Sequence, residues 1–178
     1  MKKIILFFCF VIVSIPSVNA QNNLLGKDKS TFIFVRHAEK MDDGTNNPPL
    51  TKEGEARAVR IKNMLKKNYS KIDAVFSTDF KRTLSTAKPS SDEFGLSIQK
   101  YDPRAPNVFI KSLIKDYPGK IVLIVGHSNT TPMLVNTVLN EKRFEQLDES
   151  NYNEVFIVEA TDVGKAEVER TSSALKKN

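Results

Sequence analysis

Short apolar runs rich in β-branched residues alternate along the chain with segments of helical periodicity. Buried strands are predicted over 31–35 (TFIFV), 72–76, 96–101 and 121–125 (IVLIV), and two further strands over 155–158 and 163–169. The intervening helices are predicted from the cap Thr51 to about Lys67, after Asp79 to about Lys88 before Pro89, over 108–117, and from a first turn with Pro132 to about Leu139.

This alternation predicts a mixed fold, a three-layer α/β/α sandwich around a mostly parallel sheet with helices on both faces. In the first helix, Ala58, Ile61 and Leu65 fall on one face and are expected to enter the core. Ligands of such sheets bind beyond the carboxyl ends of the strands. The residues that follow the predicted strands are therefore the first candidates for a functional site.

The first twenty residues differ from the rest of the chain. Lys2 and Lys3 precede an almost unbroken apolar run over 4–15, and a small-residue site ends at Ala20. This pattern predicts a signal peptide over 1–20, cleaved after Ala20, with a single domain over 21–178 in the periplasm or secreted. The run is shorter than the ~20 residues of a spanning helix, so no stable membrane anchor is expected after cleavage.

Composition narrows the possible chemistry. The chain of 178 residues has one cysteine, at position 9 inside the predicted signal peptide. A mature domain without cysteine has no disulfide, catalytic thiolate or cysteine-bound metal. The net charge is +6, but the basic residues are scattered and no aromatic residues interleave with them, so no nucleic-acid partner is expected.

The only two histidines, His37 and His127, each follow a predicted strand directly. Arg36 adjoins the first, and Arg82 lies about one turn into the second helix. Each residue alone has a structural interpretation, as a histidine bonded to a carbonyl or an arginine paired with a surface carboxylate. Together, two imidazoles and two guanidiniums suit a doubly charged tetrahedral anion such as a phosphate monoester. A zinc site needs three protein ligands, and no further ligand motif is present, so a metal is disfavoured.

Four segments resemble motifs of the histidine phosphatase superfamily, the phosphoglycerate mutase-like fold. They are 34–40 (FVRHAEK), 50–58 (LTKEGEARA), 77–83 (STDFKRT, with Thr86 and Ala87 behind it) and 125–129 (VGHSN). They occur in the family's order and, with their flanking elements, cover 31–133.

The resemblance implies that His37 is the nucleophile, forming a phosphohistidine, and that Arg36, Arg82 and His127 bind the phosphate. It implies no metal or other cofactor, and the partner is a small phosphorylated substrate or phosphate. Adjacent guanidiniums would lower the pKa of His37 and keep it nucleophilic. The short segment after Thr83 favours a phosphatase over a mutase, and export suggests by analogy an envelope phosphosugar as substrate.

A leaving alkoxide also needs a proton donor. By the resemblance Asp102, after the third predicted strand, is the expected general acid. Glu39 is its main rival, followed by Asp42 and Asp43. The alternative is that all four are loop carboxylates that cap, pair or face water.

Two other functions are open. Residues 126–130 (GHSNT) lie between strand and helix like a nucleophile elbow, which suggests a serine hydrolase using Ser128. However, Thr130 replaces the final glycine of that motif, and no histidine follows Ser128. The second alternative is a phosphate- or phosphosugar-binding envelope protein without turnover.

Overall fold

The computed structural model describes residues 28–174, so the predicted signal peptide lies outside the described residues. Strands and helices alternate over the first two thirds of this range, and a strand pair ends it. The elements are β1 (Ser30–Arg36), α1 (Lys52–Asn68), β2 (Ala74–Ser77), α2 (Lys81–Glu93), β3 (Ile98–Lys100), α3 (Pro106–Asp116), β4 (Ile121–Gly126), α4 (Thr130–Leu139), β5 (Glu154–Asp162) and β6 (Lys165–Ser172).

The strands form one sheet in the order β3-β2-β4-β1-β5-β6. The pairs β3·β2, β2·β4 and β4·β1 are parallel, whereas β1·β5 and β5·β6 are antiparallel. The connections between the parallel strands carry α1, α2 and α3, and α4 connects β4 to the antiparallel strand β5. The predicted mixed fold with a mostly parallel central sheet is confirmed.

The two faces of the sheet bury separate apolar cores. In β1, Phe32 and Phe34 join the core that holds side chains of α3 and α4, whereas Ile33 and Val35 join the core with α1 and α2. Neighbouring side chains of a strand point to opposite faces, so a continuous apolar run is what a strand covered on both sides requires.

The start of α1 is locked against the segment that follows β1. The Thr51 hydroxyl caps the helix by accepting from the Gly54 amide at 3.1 Å, and the Thr51 amide donates to the Glu39 carbonyl at 2.9 Å. A Cβ on Gly54 would clash with that same carbonyl, so only glycine allows this approach. The predicted cap is confirmed, as is the predicted burial of the inner face of α1, formed by Ala58, Ile61 and Leu65.

One predicted helix end is wrong. Helix α2 continues through Pro89 to Glu93 instead of ending near Lys88. At the end of the helix, the Phe94 amide donates to the Ser90 carbonyl at 3.1 Å. Ser90 and Ser91 are buried, and this tertiary packing of the last turn outweighs the cost of one missing helical hydrogen bond.

The remaining boundaries shift by a few residues. Strand β3 is shorter than the predicted 96–101, and β5 and β6 are longer than predicted. The last two pair as a hairpin whose turn includes Gly164 at a φ of +75°. Within residues 28–174, no helix has the length and apolar character that crossing a membrane requires.

Candidate active site

The two histidines meet because β1 and β4 are parallel neighbours in register. Arg36 lies opposite Gly126 in that pair, so the next residues, His37 and His127, leave the sheet side by side. The His37 amide donates to the Gly126 carbonyl at 2.9 Å, and the two ring centroids are 5.4 Å apart. The predicted juxtaposition of the imidazoles is confirmed.

The turn before His127 leaves no room for a side chain. A Cβ on Gly126 would come within 2.9 Å of the hydroxyl oxygens of Thr130, Thr131 and Tyr101. The Thr130 hydroxyl accepts from the His127 amide at 2.9 Å and holds the turn. The glycine of the VGHSN segment is therefore required by packing at the end of β4.

His37 is held in one tautomer. Its Nδ1 lies 2.8 Å from the Ala38 carbonyl oxygen, which can only accept, so Nδ1 carries the proton and Nε2 has a free lone pair. The residue is 3% exposed. Burial, followed by the charge of Arg36, lowers the pKa of His37 to about 3. The imidazole is therefore neutral at pH 7 with an unprotonated Nε2, the state that a nucleophile needs.

His127 is oriented by a chain of hydroxyls. Its Nε2 lies 2.9 Å from the Thr78 hydroxyl, which donates to the Thr83 hydroxyl at 3.0 Å, and Thr83 donates in turn to the Thr78 carbonyl at 2.9 Å. On the other side of the ring, Nδ1 lies 3.5 Å from Arg82 Nη2. Since an arginine only donates, Nε2 carries the proton of the neutral ring. Burial and then Arg82 lower the pKa of His127 to about 4.

Arg36 is buried with a 1% exposed surface and organises the loop 147–152. Its Nη1 donates to the carbonyls of Asp148, Glu149 and Asn151 at 2.9, 3.0 and 3.1 Å, and its Nη2 donates to the Glu149 carboxylate at 2.6 Å. The guanidinium carbon lies 4.2 Å from the centre of the Tyr152 ring. Within residues 28–174, Arg36 Nε is buried and has no hydrogen-bond acceptor.

Arg82 approaches the same pair of imidazoles from α2. Its guanidinium carbon lies 4.5 Å from the centre of the Phe80 ring, and Nη1 contacts the Asn46 carbonyl at 3.4 Å. Its Nε, like that of Arg36, is buried without an acceptor in the described part of the chain. The Nε atoms of Arg36 and Arg82 are thus two buried donors without acceptors among the described residues, beside two neutral imidazoles. A bound anion would supply the missing acceptors.

Arg82 and the two histidines line a cleft of about 590 Å³, whereas Arg36 lies behind it and does not line it. Lys40, Arg82 and Arg104 supply positive charge to its wall, alongside His37 and His127. Among the described residues that line it, Glu149 is the one carboxylate. No three His, Cys, Asp or Glu side chains within 28–174 are grouped so as to hold a metal ion.

A family model described as histidine phosphatase superfamily (branch 1) matches residues 32–104, a range that holds Arg36, His37 and Arg82. Over this range the chain is similar to the histidine phosphatase superfamily. No curated protein matches the chain.

Solved structures of histidine phosphatases share the fold over most of the chain. The protein histidine phosphatase SixA, complexed with tungstate, is 18% identical, with 80% of this chain and 97% of that chain covered and a TM-score of 0.65. A mycobacterial glucosyl-3-phosphoglycerate phosphatase is 13% identical, with 81% and 98% covered and a TM-score of 0.64. Phosphoserine phosphatase from Entamoeba histolytica, in complex with 3-phosphoglyceric acid, is 12% identical, with 83% and 98% covered and a TM-score of 0.64.

Asp102, predicted to be the general acid, is placed outside the cleft. Pro103 and Arg104 line the cleft, but Asp102 does not. Its carboxylate is held by Arg104, with Nε at 2.9 and 3.2 Å and Nη2 at 2.8 Å. Those hydrogen bonds lower the pKa of Asp102 to about 2. Because Asp102 lies outside the cleft and is paired with Arg104, the structure does not place it to donate a proton to a leaving group there.

The rival carboxylates also have structural partners. Glu39 accepts from Arg57 Nε at 2.9 and 2.8 Å, and these bonds outweigh the effect of burial, so the pKa of Glu39 is lowered. The carboxylate of Asp43 accepts from the amide and hydroxyl of Thr45 at 3.0 and 2.7 Å, which lowers its pKa. Asp42 is exposed in the same loop. None of these residues lines the cleft.

Several residues of the site were not anticipated from sequence. Glu149 and Tyr152 lie on the loop 147–152, far along the chain from Arg36, and no local pattern marks them. Thr78 was quoted only as part of a motif, and its hydrogen bond to His127 depends on the pairing of β2 with β4. The position of Thr78 directly after a strand could have indicated that it lies at the site. No sequence feature could have indicated this for Glu149.

Proposed function

We propose that this protein is a metal-independent phosphomonoester phosphatase that acts through a phosphohistidine on His37. The observation that carries the proposal is the hydrogen bond from His37 Nδ1 to the Ala38 carbonyl at 2.8 Å. Because that carbonyl fixes the proton on Nδ1, the Nε2 lone pair is available for attack. The depressed pKa of His37 keeps it available at neutral pH.

The charges around His37 suit the transferred group. An oxyanion bound between Arg36 Nε and Arg82 Nε would satisfy the two buried donors that lack acceptors. Phosphoryl transfer spreads charge over three equatorial oxygens, and fixed cations stabilise that charge without reorganisation. His127, neutral and oriented by Thr78, would contact the same group from the side of Arg82. Arg36, Arg82 and His127 are therefore proposed as the phosphate pocket.

The proposed substrate is a small phosphorylated molecule. Two of the structures that share this fold hold tungstate or 3-phosphoglyceric acid. The three similar proteins are named as a protein histidine phosphatase, a glucosyl-3-phosphoglycerate phosphatase and a phosphoserine phosphatase. If the predicted signal peptide is cleaved, the substrate lies outside the cytoplasm, and we propose an envelope phosphosugar. The open cleft of about 590 Å³ accommodates a leaving group of that size.

The test is to trap the intermediate. The wild-type protein is mixed with p-nitrophenyl phosphate, quenched in alkaline denaturant because the P–N bond is acid-labile, and the phosphorylated residue is mapped by mass spectrometry. We expect phosphate on His37 and, in His37→Ala, a loss of turnover by orders of magnitude. Ser128→Ala should lower turnover far less, whereas the reverse ranking would indicate the serine hydrolase. Tight binding of the ester by the wild type with no turnover would indicate the non-catalytic binding protein.

A further inference from the structure

Glu149 is a carboxylate that the phosphate site, as proposed, does not use. It lines the cleft together with His37 and His127. Its Oε2 lies 2.6 Å from Arg36 Nη2, and its Oε1 accepts from the Ser128 hydroxyl at 2.6 Å. A carboxylate inside a cationic anion pocket weakens the binding of a dianion unless the carboxyl group is protonated when the dianion is bound.

The position of Glu149 is set by the fold. Arg36 holds the loop 147–152 through three carbonyl contacts, and the Leu147 amide donates to the Ser128 carbonyl at 2.9 Å. The same loop stacks Tyr152 on Arg36, with the Tyr152 and His37 ring centroids 6.0 Å apart. The loop that carries Glu149 is therefore tied to the end of β1, while the Glu149 side chain itself is 65% exposed.

Binding of a phosphate dianion changes the charges around Glu149 and is expected to raise its pKa. In the free protein, the hydrogen bond from Ser128 and the charge of Arg36 lower the pKa of Glu149. Arg82, Lys40 and Arg104 add positive charge to the lining of the same cleft. A phosphate dianion neutralises these cations and adds negative charge nearby, so both effects favour protonation of Glu149 in the complex.

We propose that Glu149, rather than Asp102, is the proton donor to the leaving oxygen, and that it is also the base in the second step. The proposal rests on the phosphatase function proposed above. It assigns a catalytic role to the one carboxylate that the described residues bring to the cleft.

The chemistry balances as follows. The substrate binds as a monoanion and passes its proton to Glu149, which leaves the dianion and a neutral carboxylic acid. The His37 Nε2 lone pair forms the N–P bond, the P–O bond to the leaving group breaks, and the leaving oxygen takes the proton from Glu149. The resulting carboxylate then accepts a proton from the attacking water, the N–P bond breaks with its electron pair returning to Nε2, and phosphate is released.

The experiment compares two substrates that differ in their need for a proton donor. p-Nitrophenolate leaves without protonation, whereas the alkoxide of β-glycerophosphate does not. The kcat/KM for each reports steps only up to phosphorylation of His37, so the second step does not confuse the comparison. In Glu149→Gln we expect kcat/KM for β-glycerophosphate to fall about 100-fold or more, and kcat/KM for p-nitrophenyl phosphate to stay within about fivefold.

The matched control is Glu145→Gln. Glu145 is an exposed glutamate a few residues away that pairs with Lys142 and does not line the cleft, so neither substrate should be affected. If Glu149→Gln misfolds by circular dichroism, Glu149→Asp tests the same point, because a shortened acid should be selectively slower on the alkyl ester.

Three outcomes would overturn the proposal. They are an equal loss on both substrates, a gain on both that marks Glu149 as a competitor for Arg36, and a selective loss in Asp102→Asn instead. In each case, phosphate trapped on His37 would still support the proposed phosphatase function. A failure of that function would be separate, visible as the absence of any His37 adduct.

Discussion

The two buried neutral imidazoles make the stability of this protein depend on pH in a calculable way. The folded pKa values are about 3 for His37 and about 4 for His127, and the unfolded value is about 6.5. Below pH 6.5 the unfolded chain binds protons that the folded protein does not. Stability is therefore greatest above pH 6.5 and decreases as pH falls towards the folded pKa values.

The size of the effect follows from those values. Between pH 7 and pH 5, each imidazole lowers the free energy of unfolding by about 2 kcal/mol, and the pair by about 4 kcal/mol. Since the chain has only two histidines, replacing both removes the effect completely. Carboxylates add a smaller slope near pH 5 that is common to wild type and variants.

The measurement is urea unfolding followed by far-ultraviolet circular dichroism between pH 5 and pH 8, in buffers without phosphate. Wild type, His37→Asn, His127→Asn and the double variant are compared by the slope of stability against pH, so that a constant loss of stability in a variant does not matter. The slope of the double variant is subtracted from each of the other slopes, which leaves the part due to the histidines. We expect this part to be about half as large in each single variant as in the wild type. A wild-type slope equal to that of the double variant would refute the argument that burial keeps both rings neutral.

Three further predictions concern the packing of Gly54, the hydrogen bond of Thr78 and the independence of the activity from metal ions. Gly54→Ala should lower the free energy of unfolding by about 1–3 kcal/mol, because the new methyl group overlaps the backbone carbonyl of Glu39; an unchanged denaturation midpoint would contradict this. Thr78→Val should leave the His127 Nε2–H without an acceptor, at a cost of about 1–3 kcal/mol, and alter the ¹⁵N shifts of that ring; unaltered shifts would remove Thr78 from the site. Phosphatase activity should survive excess chelator, and a strict requirement for Mg²⁺ or Zn²⁺ would count against direct attack by His37.

Local patterns were sufficient for much of the fold. The apolar runs, the Thr51 cap and the apolar face of α1 are properties of neighbouring residues, and the structure has them where the sequence predicts them. The convergence of His37 and His127 was also predictable, because parallel strands end at one edge of a sheet and both histidines directly follow a strand. The extension of α2 beyond Pro89 was not, since it depends on how Ser90 and Ser91 are buried.

Tertiary structure decided which carboxylate reaches the site. Asp102 has its partner Arg104 two positions along the chain, whereas nothing near Glu149 in the sequence indicates its contact with Arg36. Folding pairs Asp102 with Arg104 at the protein surface and brings Glu149 back to Arg36 and Ser128, across more than one hundred positions of chain for Arg36. Sequence determines which residues can titrate, but protonation depends on burial and on charges within a few ångströms, and those distances exist only after the loop 147–152 has closed over β1.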